Sequence, residues 1–168
     1  MPDTKPETVN ILFYGAGGQG ILTAATICSW AALHDGFQVK MSAIHGLARR
    51  GGIVEAHVRY GRCVFSPLIP AGRVDFLAGF NPKQTRKVRS QLRRNAVNLA
   101  EWIDPAMLRN RRQMNIILLG ILSQQLSIRE QSWIEAMGTV FHAGHREENL
   151  EAFMSVRKLL SSCDRDGE

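Results

Sequence analysis

The sequence predicts a single α/β domain of Rossmann-like type, with a glycine turn after the first strand and a helical C-terminal part. Three observations support that expectation. An apolar run, Val9 to Tyr14, enters the cluster Gly15-Ala16-Gly17-Gly18-Gln19-Gly20. Ile21 to His34 follows without Gly or Pro. This is strand, tight turn and helix, the order of a phosphate-binding βα unit. Aromatic residues are sparse, at 7%, while glycine is frequent, at 15 of 168 residues, which suits several tight strand-to-helix turns. Beyond residue 113 the apolar spacing is helical, with no further strand-like alternation.

The elements follow in order. Asp35-Gly36 stops the first helix. Phe37 to Ile44 reads as a second strand and leaves through a glycine-rich connection, His45 to Gly52. Ile53 to Tyr60 alternates apolar and polar residues, as a strand with one wet face does. Gly61-Arg62 reads as a hairpin turn into Cys63 to Ser66. Pro67, Pro70 and Gly72 mark a loop. Val74 to Phe80 is an apolar strand, Pro82 to Arg94 a basic helix, and Asn95 to Trp102 a further strand. Met114 to Gln125, Ser132 to Phe141 and Glu147 to Leu160 read as helices. In the last, Phe153, Val156, Leu159 and Leu160 are spaced to line one side. The tail from about residue 161 is polar and expected to fray. No repeat or low-complexity linker interrupts the chain, so residues 1–168 read as one domain.

Composition bounds the function. No apolar stretch is long enough to span a bilayer, and Met1 to Asn10 lacks the apolar region of a signal peptide. Cys28, Cys63 and Cys163 are odd in number and far apart, without a CxxC pair, which reads as reduced thiols in a cytoplasmic protein. Such a set cannot by itself hold a cysteine-ligated iron–sulfur cluster. The net charge of +6 concentrates at Arg49–Arg50, Lys83 to Arg94 and Arg109 to Arg112. Without interleaved aromatics or a nucleic-acid-binding motif, those patches fit an acidic partner protein or a polyphosphate cofactor better than nucleic acid.

The chemistry concentrates in two glycine segments. In Gly15-x-Gly17-x-x-Gly20, a strand feeding a helix aims backbone N–H groups and the positive helix end at one spot, which favours phosphate or another anion. Gly18 and Gln19 leave that loop almost free of side chains. A dinucleotide site wants an acid about twenty residues on, but Val39-Lys40-Met41-Ser42-Ala43 has none. The second segment, His45-Gly46-Leu47-Ala48-Arg49-Arg50-Gly51-Gly52, joins a flexible loop to two cations. It reads either as the far wall of an anion cleft or as a solvated surface loop. His45 is a candidate acid or base, more often a structural residue in such a position. His57 reads as an ordinary strand residue. His142 and His145 lack a third ligand nearby. No nucleophile with its base is present, and no P-loop.

The segment Asn10-Ile-Leu-Phe-Tyr-Gly15-Ala-Gly-Gly-Gln-Gly20-Ile-Leu-Thr-Ala resembles the opening of the beta subunit of indolepyruvate:ferredoxin oxidoreductase. That family is related to the gamma subunits and domains of pyruvate and other 2-oxoacid:ferredoxin oxidoreductases. The resemblance continues at Ser42-Ala-Ile-His-Gly46, Arg50-Gly-Gly52, Ala56-His-Val-Arg59 and Ser66-Pro-Leu-Ile-Pro70. It persists weakly at Asn115, Leu119-Gly120 and Glu148-Asn149-Leu150. Two departures make the cleft side more basic: Ala43, where the family usually has an acid, and Asn81-Pro82-Lys83-Gln84, where it tends to carry acids.

The resemblance implies a subunit that helps form a coenzyme A and active-site cleft. Thiamine diphosphate and iron–sulfur clusters would sit on a larger partner subunit that decarboxylates a 2-oxoacid and passes electrons to ferredoxin. The cofactor-binding set is then Gly15, Gly17, Gly18, Gln19, Gly20, His45, Arg49, Arg50, Gly51 and Gly52, with no catalytic residue and no metal ligand on this chain. An isolated subunit is expected to be inactive alone and able to self-associate through the patch its partner covers. A free-standing NAD(P)-binding reductase and a basic nucleic-acid-binding domain are the alternatives. Neither the 2-oxoacid nor the partner chain is specified by the sequence.

Overall fold

The computed structural model describes residues 7–45, 52–79, 82–103 and 113–163. Five strands form one sheet: β1 (Val9–Ala16), β2 (Gln38–His45), β3 (Ile53–Gly61), β4 (Val74–Gly79) and β5 (Leu92–Asn98). Their spatial order is β2-β3-β1-β4-β5. β1 pairs parallel with β4 and antiparallel with β3. β3 pairs antiparallel with β2, and β4 parallel with β5. β1 is central and covered on both faces, which is why its sequence is a continuous apolar run rather than an alternating one.

The helices are α1 (Ile21–His34), α2 (Pro82–Thr85), α3 (Met114–Gln125), α4 (Glu130–Val140) and α5 (Ala143–Cys163). Two 3-10 segments, Arg86–Gln91 and Leu99–Glu101, flank β5. Alternate residues of β1 face opposite ways. Ile11 and Phe13 join Ala56 and Val58 of β3 in the main core, against Ile27, Leu118, Trp133 and Phe153 of the helices. Leu12 and Tyr14 face the other way, into a smaller core with Ile69, Val74, Leu77 and Val88. Thus α1 lies on one face of the sheet, and the α2 and 3-10 segment after β4 lies on the other.

Polar contacts tie these layers together. At the C-terminus of α1, Asp35 Oδ1 accepts hydrogen bonds from Arg129 Nε (2.6 Å) and Ser132 Oγ (2.8 Å), which fixes the start of α4. Burial alone would raise the Asp35 carboxyl, but these bonds and the guanidinium charge outweigh it and hold the group below its usual range. On the smaller core's side, buried His57 accepts the Ile69 N–H at Nδ1 (3.1 Å) and meets Glu55 through Nε2 (2.9 Å). An Nδ1 that accepts leaves the proton on Nε2, so the ring donates to Glu55. Arg59 donates to the carbonyls of Ser66 (2.9 Å) and Leu68 (3.1 Å). The segments Ala56-His-Val-Arg59 and Ser66-Pro-Leu-Ile-Pro70 are therefore one structural unit: β3 holds the loop down on the sheet.

Several local expectations are corrected. β3 lies between β1 and β2, so the sheet is mixed. Gly61-Arg62 makes no hairpin, and Cys63 to Ser66 is not a strand. Gly61 instead marks close packing, because a Cβ there would lie 2.5 Å from the Glu7 carbonyl oxygen. The basic helix ends early, and β5 begins at Leu92 rather than Asn95. The last helix extends from Ala143 to Cys163, past the point expected to fray. Phe153 and Val156 are buried in it, but Leu159 is 53% exposed. The thiol of Cys28 is buried, and burial pushes its pKa upward. Cys63 is free and exposed.

Candidate anion site at the glycine turn

The crossover after β1 passes over one face of the sheet and the segment after β4 over the other, although β1 and β4 are parallel neighbours. A crevice opens at such a switch, beyond the carboxyl ends of the strands, and ligands of open α/β sheets bind there. The turn Gly17 to Gly20 stands at that point on β1.

Its geometry follows from its residues. Gln19 folds back so that Oε1 accepts the Ala16 N–H (2.7 Å). Only glycine at 15 permits this, since a Cβ there would lie 2.6 Å from the same oxygen. Gln19 is thus a lock on the turn rather than a group aimed at a ligand. Gly18 (φ 88°) and Gly20 (φ 73°) occupy the left-handed region that favours glycine. Gly20 is the N-cap of α1 and offers no side chain, and the first turn of α1 has no acidic residue. The first helical bond runs from the Ala24 N–H to the Gly20 carbonyl. The N–H groups ahead of it, on Ile21, Leu22 and Thr23, form the free positive end of the helix. Among the described residues the N–H groups of Gly18 and Gly20 also make no hydrogen bond.

The second glycine segment meets the first at one described point: the Gly17 N–H donates to the Gly52 carbonyl (2.9 Å). That bond ties the turn to the start of β3 and removes Gly17 from the set of free donors. His45, Val54 and Gly15 lie in one row across β2, β3 and β1. His45 therefore leaves the sheet at the same end as the glycine turn, two strand spacings or about 10 Å away. Gly46 to Gly51, with Arg49 and Arg50, lie outside the described residues, as do Asn81 and Arg109 to Arg112. Ala43 is exposed on β2.

Asn115 belongs to this site as well. It stands in the first turn of α3, is 9% exposed, and packs on Gly20, where an added Cβ would lie 2.6 Å from its Nδ2. The sequence hint was the faint resemblance at that position, and nothing local marked it as a neighbour of the turn. Tyr14, beside the turn, has its phenol raised in pKa by burial and then by the charge of Glu55, and so stays neutral. Among the described residues no three His, Cys, Asp or Glu side chains gather as metal ligands. The placement of β3 also bears on the dinucleotide alternative. Of the strands beside β1, whose ends would offer an acid to a ribose, β3 is antiparallel and carries its carboxyl end to the opposite edge, and acid-free β2 lies one strand further out.

Fold and turn together define a mixed-sheet α/β domain with an open glycine turn at the N-terminus of α1. Solved structures share this fold. The gamma subunit of a keto/oxoacid ferredoxin oxidoreductase from Geobacter sulfurreducens PCA matches with a TM-score of 0.72 at 21% identity, over 91% of this chain and 96% of that one. The 2-oxoglutarate:ferredoxin oxidoreductase from Magnetococcus marinus, solved with 2-oxoglutarate, coenzyme A and succinyl-CoA bound, matches with a TM-score of 0.74 at 18% identity, over 94% of this chain and 32% of that one. In sequence, residues 10–105 match the family described as pyruvate ferredoxin/flavodoxin oxidoreductase, and the chain belongs to that family. Its relatives include the indolepyruvate oxidoreductase subunit IorB of Thermococcus kodakarensis, 39% identical over 88 residues, which is 52% of this chain and 44% of that protein. The IorB subunit of Archaeoglobus fulgidus is 40% identical over 102 residues, 59% of this chain and 50% of that protein. The chain spans about half the length of the curated relatives it matches. No helix among the described residues is long and apolar enough to cross a membrane.

Proposed function

We propose that this chain is a subunit of a 2-oxoacid:ferredoxin oxidoreductase of the indolepyruvate type, and that its glycine turn holds the anionic end of coenzyme A in the assembled enzyme. The observation that supports this most is the turn's place. The turn stands at the switch point between β1 and β4, bonded through its Gly17 N–H to the Gly52 carbonyl and followed by a free helix N-terminus. Gly18, Gly20 and the first turn of α1 would donate backbone N–H groups to phosphate oxygens. Arg49 and Arg50, on the second segment, would supply charge. Asn115 holds the turn from below.

In the overall reaction the bond between the 2-oxoacid's keto carbon and its carboxylate breaks and carbon dioxide leaves, the acyl carbon bonds the coenzyme A sulfur, whose hydrogen is released as a proton, and two electrons go to ferredoxin. Thiamine diphosphate and iron–sulfur clusters, on a larger partner subunit, supply the decarboxylation and the electron path. This chain contributes binding and closure of the cleft. Exposed apolar side chains fit a surface that a partner covers: Phe65 (89% exposed) and Leu68 (49%) on the loop after β3, and Ile44 (51%) on β2. The reading is tested by tagging the chain in its native host and purifying the complex. The expected result is a larger partner, with thiamine diphosphate and iron in the complex and coenzyme A-dependent turnover of a 2-oxoacid. Recovery of nucleic acid instead, or NAD(P)H-dependent reduction by this chain alone, would overturn it.

A further inference from the structure

A second cationic feature lies on the other face of the sheet from α1. A cavity of about 650 Å³ opens at the β5 edge, lined by Arg86, Arg89, Arg93 and Arg94 together with Leu92, Ala96 and Asn98. None of the glycine-turn residues lines it. Two features of the backbone converge these arginines. Arg86 and Arg89 are three residues apart on a 3-10 segment, where positions three apart eclipse and share one side. β5 leaves the ladder between Leu92, opposite Val74, and Val97, opposite Phe76, so residues 93–96 bulge from the sheet. A bulge re-aims side chains, and this one contributes Arg93 and Arg94.

The charges are unequally matched. Arg93 meets Asp75 at 2.8 Å, and Asp75 also accepts the Asn10 N–H at 2.7 Å, so that pair is anchored to β1. Arg86, Arg89 and Arg94 have no ion pair or hydrogen bond among the described residues. Among the described residues Glu101 is the one carboxylate in the lining, and it accepts from Asn98 Nδ2 at 3.0 Å. Edge strands often carry cations simply to deter pairing. Deterrence needs charges along the edge, however, not a concave site that guanidinium groups from two elements line together.

We propose that this cavity binds a phosphorylated small molecule of nucleotide size, separately from the glycine turn. Its volume is in the range of small-ligand pockets. Guanidinium groups bind phosphate oxygens bidentately, and half-buried Leu92 and Ala96 offer a small apolar surface beside them. The bulge breaks the regular row of backbone groups that an added peptide strand requires, which disfavours an acidic peptide as the occupant.

The test is calorimetric titration of the full chain with ATP and with inorganic pyrophosphate, in wild type, Gly18→Asp, and Gly18→Asp combined with Arg86→Gln/Arg89→Gln. Gly18→Asp should weaken binding at the glycine turn roughly tenfold or more through charge repulsion and retain binding at β5. Adding the arginine substitutions should weaken ATP roughly tenfold or more. All are exposed positions, and circular dichroism and melting curves check that the fold is kept. Absence of binding in Gly18→Asp, or binding unchanged by the arginine substitutions, would overturn the proposal. So would an acidic peptide, poly-glutamate, that displaces ATP at equal charge concentration.

Discussion

Replacing Gly20 with alanine separates the two demands placed on the glycine turn. At φ 73° an L side chain costs about 1–2 kcal/mol. The new Cβ would also lie 2.6 Å from Asn115 Nδ2 and 2.9 Å from its Cγ, in a buried contact. Overpacking of that kind adds about 1–3 kcal/mol. The expected loss is therefore about 2–5 kcal/mol of unfolding free energy. Gly18→Ala is the internal control. Its φ is 88°, but nothing lies within 4 Å of the added carbon, so only the backbone cost of about 1–2 kcal/mol applies. Asn115→Ala in the Gly20→Ala background should relieve the clash and leave the backbone cost, a coupling of about 1–3 kcal/mol between the two sites. Urea unfolding of the four members of that cycle measures it directly. Equal stability of Gly20→Ala and Gly18→Ala, or no coupling to Asn115, would refute the placement of α3 beneath the turn.

Other perturbations test the frame and the proposed role. His57→Leu leaves the buried Ile69 N–H without its acceptor and should cost about 1–3 kcal/mol; hydrogen exchange at the Ile69 amide should accelerate, and an unchanged rate would remove His57 as the anchor of that loop. Asp35 is held below its ordinary value of 3.8, so its contribution to stability is present above that pH and is lost as pH falls through the lowered folded value. Melting curves of wild type and Asp35→Asn should differ at pH 7 and converge in acid; a gap that widens in acid would contradict the sign. Phe65→Ser should reduce recovery of the larger subunit in the native pull-down, and undiminished recovery would place the partner elsewhere. Purified alone, the chain should be colourless and inactive toward 2-oxoacids, and an iron–sulfur spectrum from it would count against the division of labour.

How far the sequence discloses this fold depends on the range of each signal. The glycine turn is legible because strand, turn and helix are adjacent and each has a local mark: the apolar run, the glycines, the Gly-free helix. Helices α3 and α4 are legible for the same reason. The strand order is not, because nothing in Ile53 to Gly61 says that it inserts between β1 and β2; pairing is decided by contacts remote in sequence. Gly61 misleads because a glycine for close packing against Glu7 looks the same as one for a turn. β5 is misplaced because its bulge puts two arginines and an asparagine where strand residues are expected. His57 passes as an ordinary strand residue since its partner, the Ile69 amide, lies in another segment. Within the candidate site, the glycines announce themselves, whereas Asn115 joins the turn only through the packing of α3 on α1.

The most direct test of the proposed role is a coenzyme A titration of the complete complex, isolated through this chain, in wild-type and Gly18→Asp forms. Gly18 is exposed and has open space beside it, and aspartate is among the residues that tolerate the left-handed region. The substitution therefore places a carboxylate at the proposed phosphate position and should leave the complex assembled. Apparent affinity for coenzyme A should fall roughly tenfold or more through close charge repulsion, with partner, iron and thiamine diphosphate content unchanged. An intact mutant complex with unaltered coenzyme A affinity and turnover would contradict the proposed role.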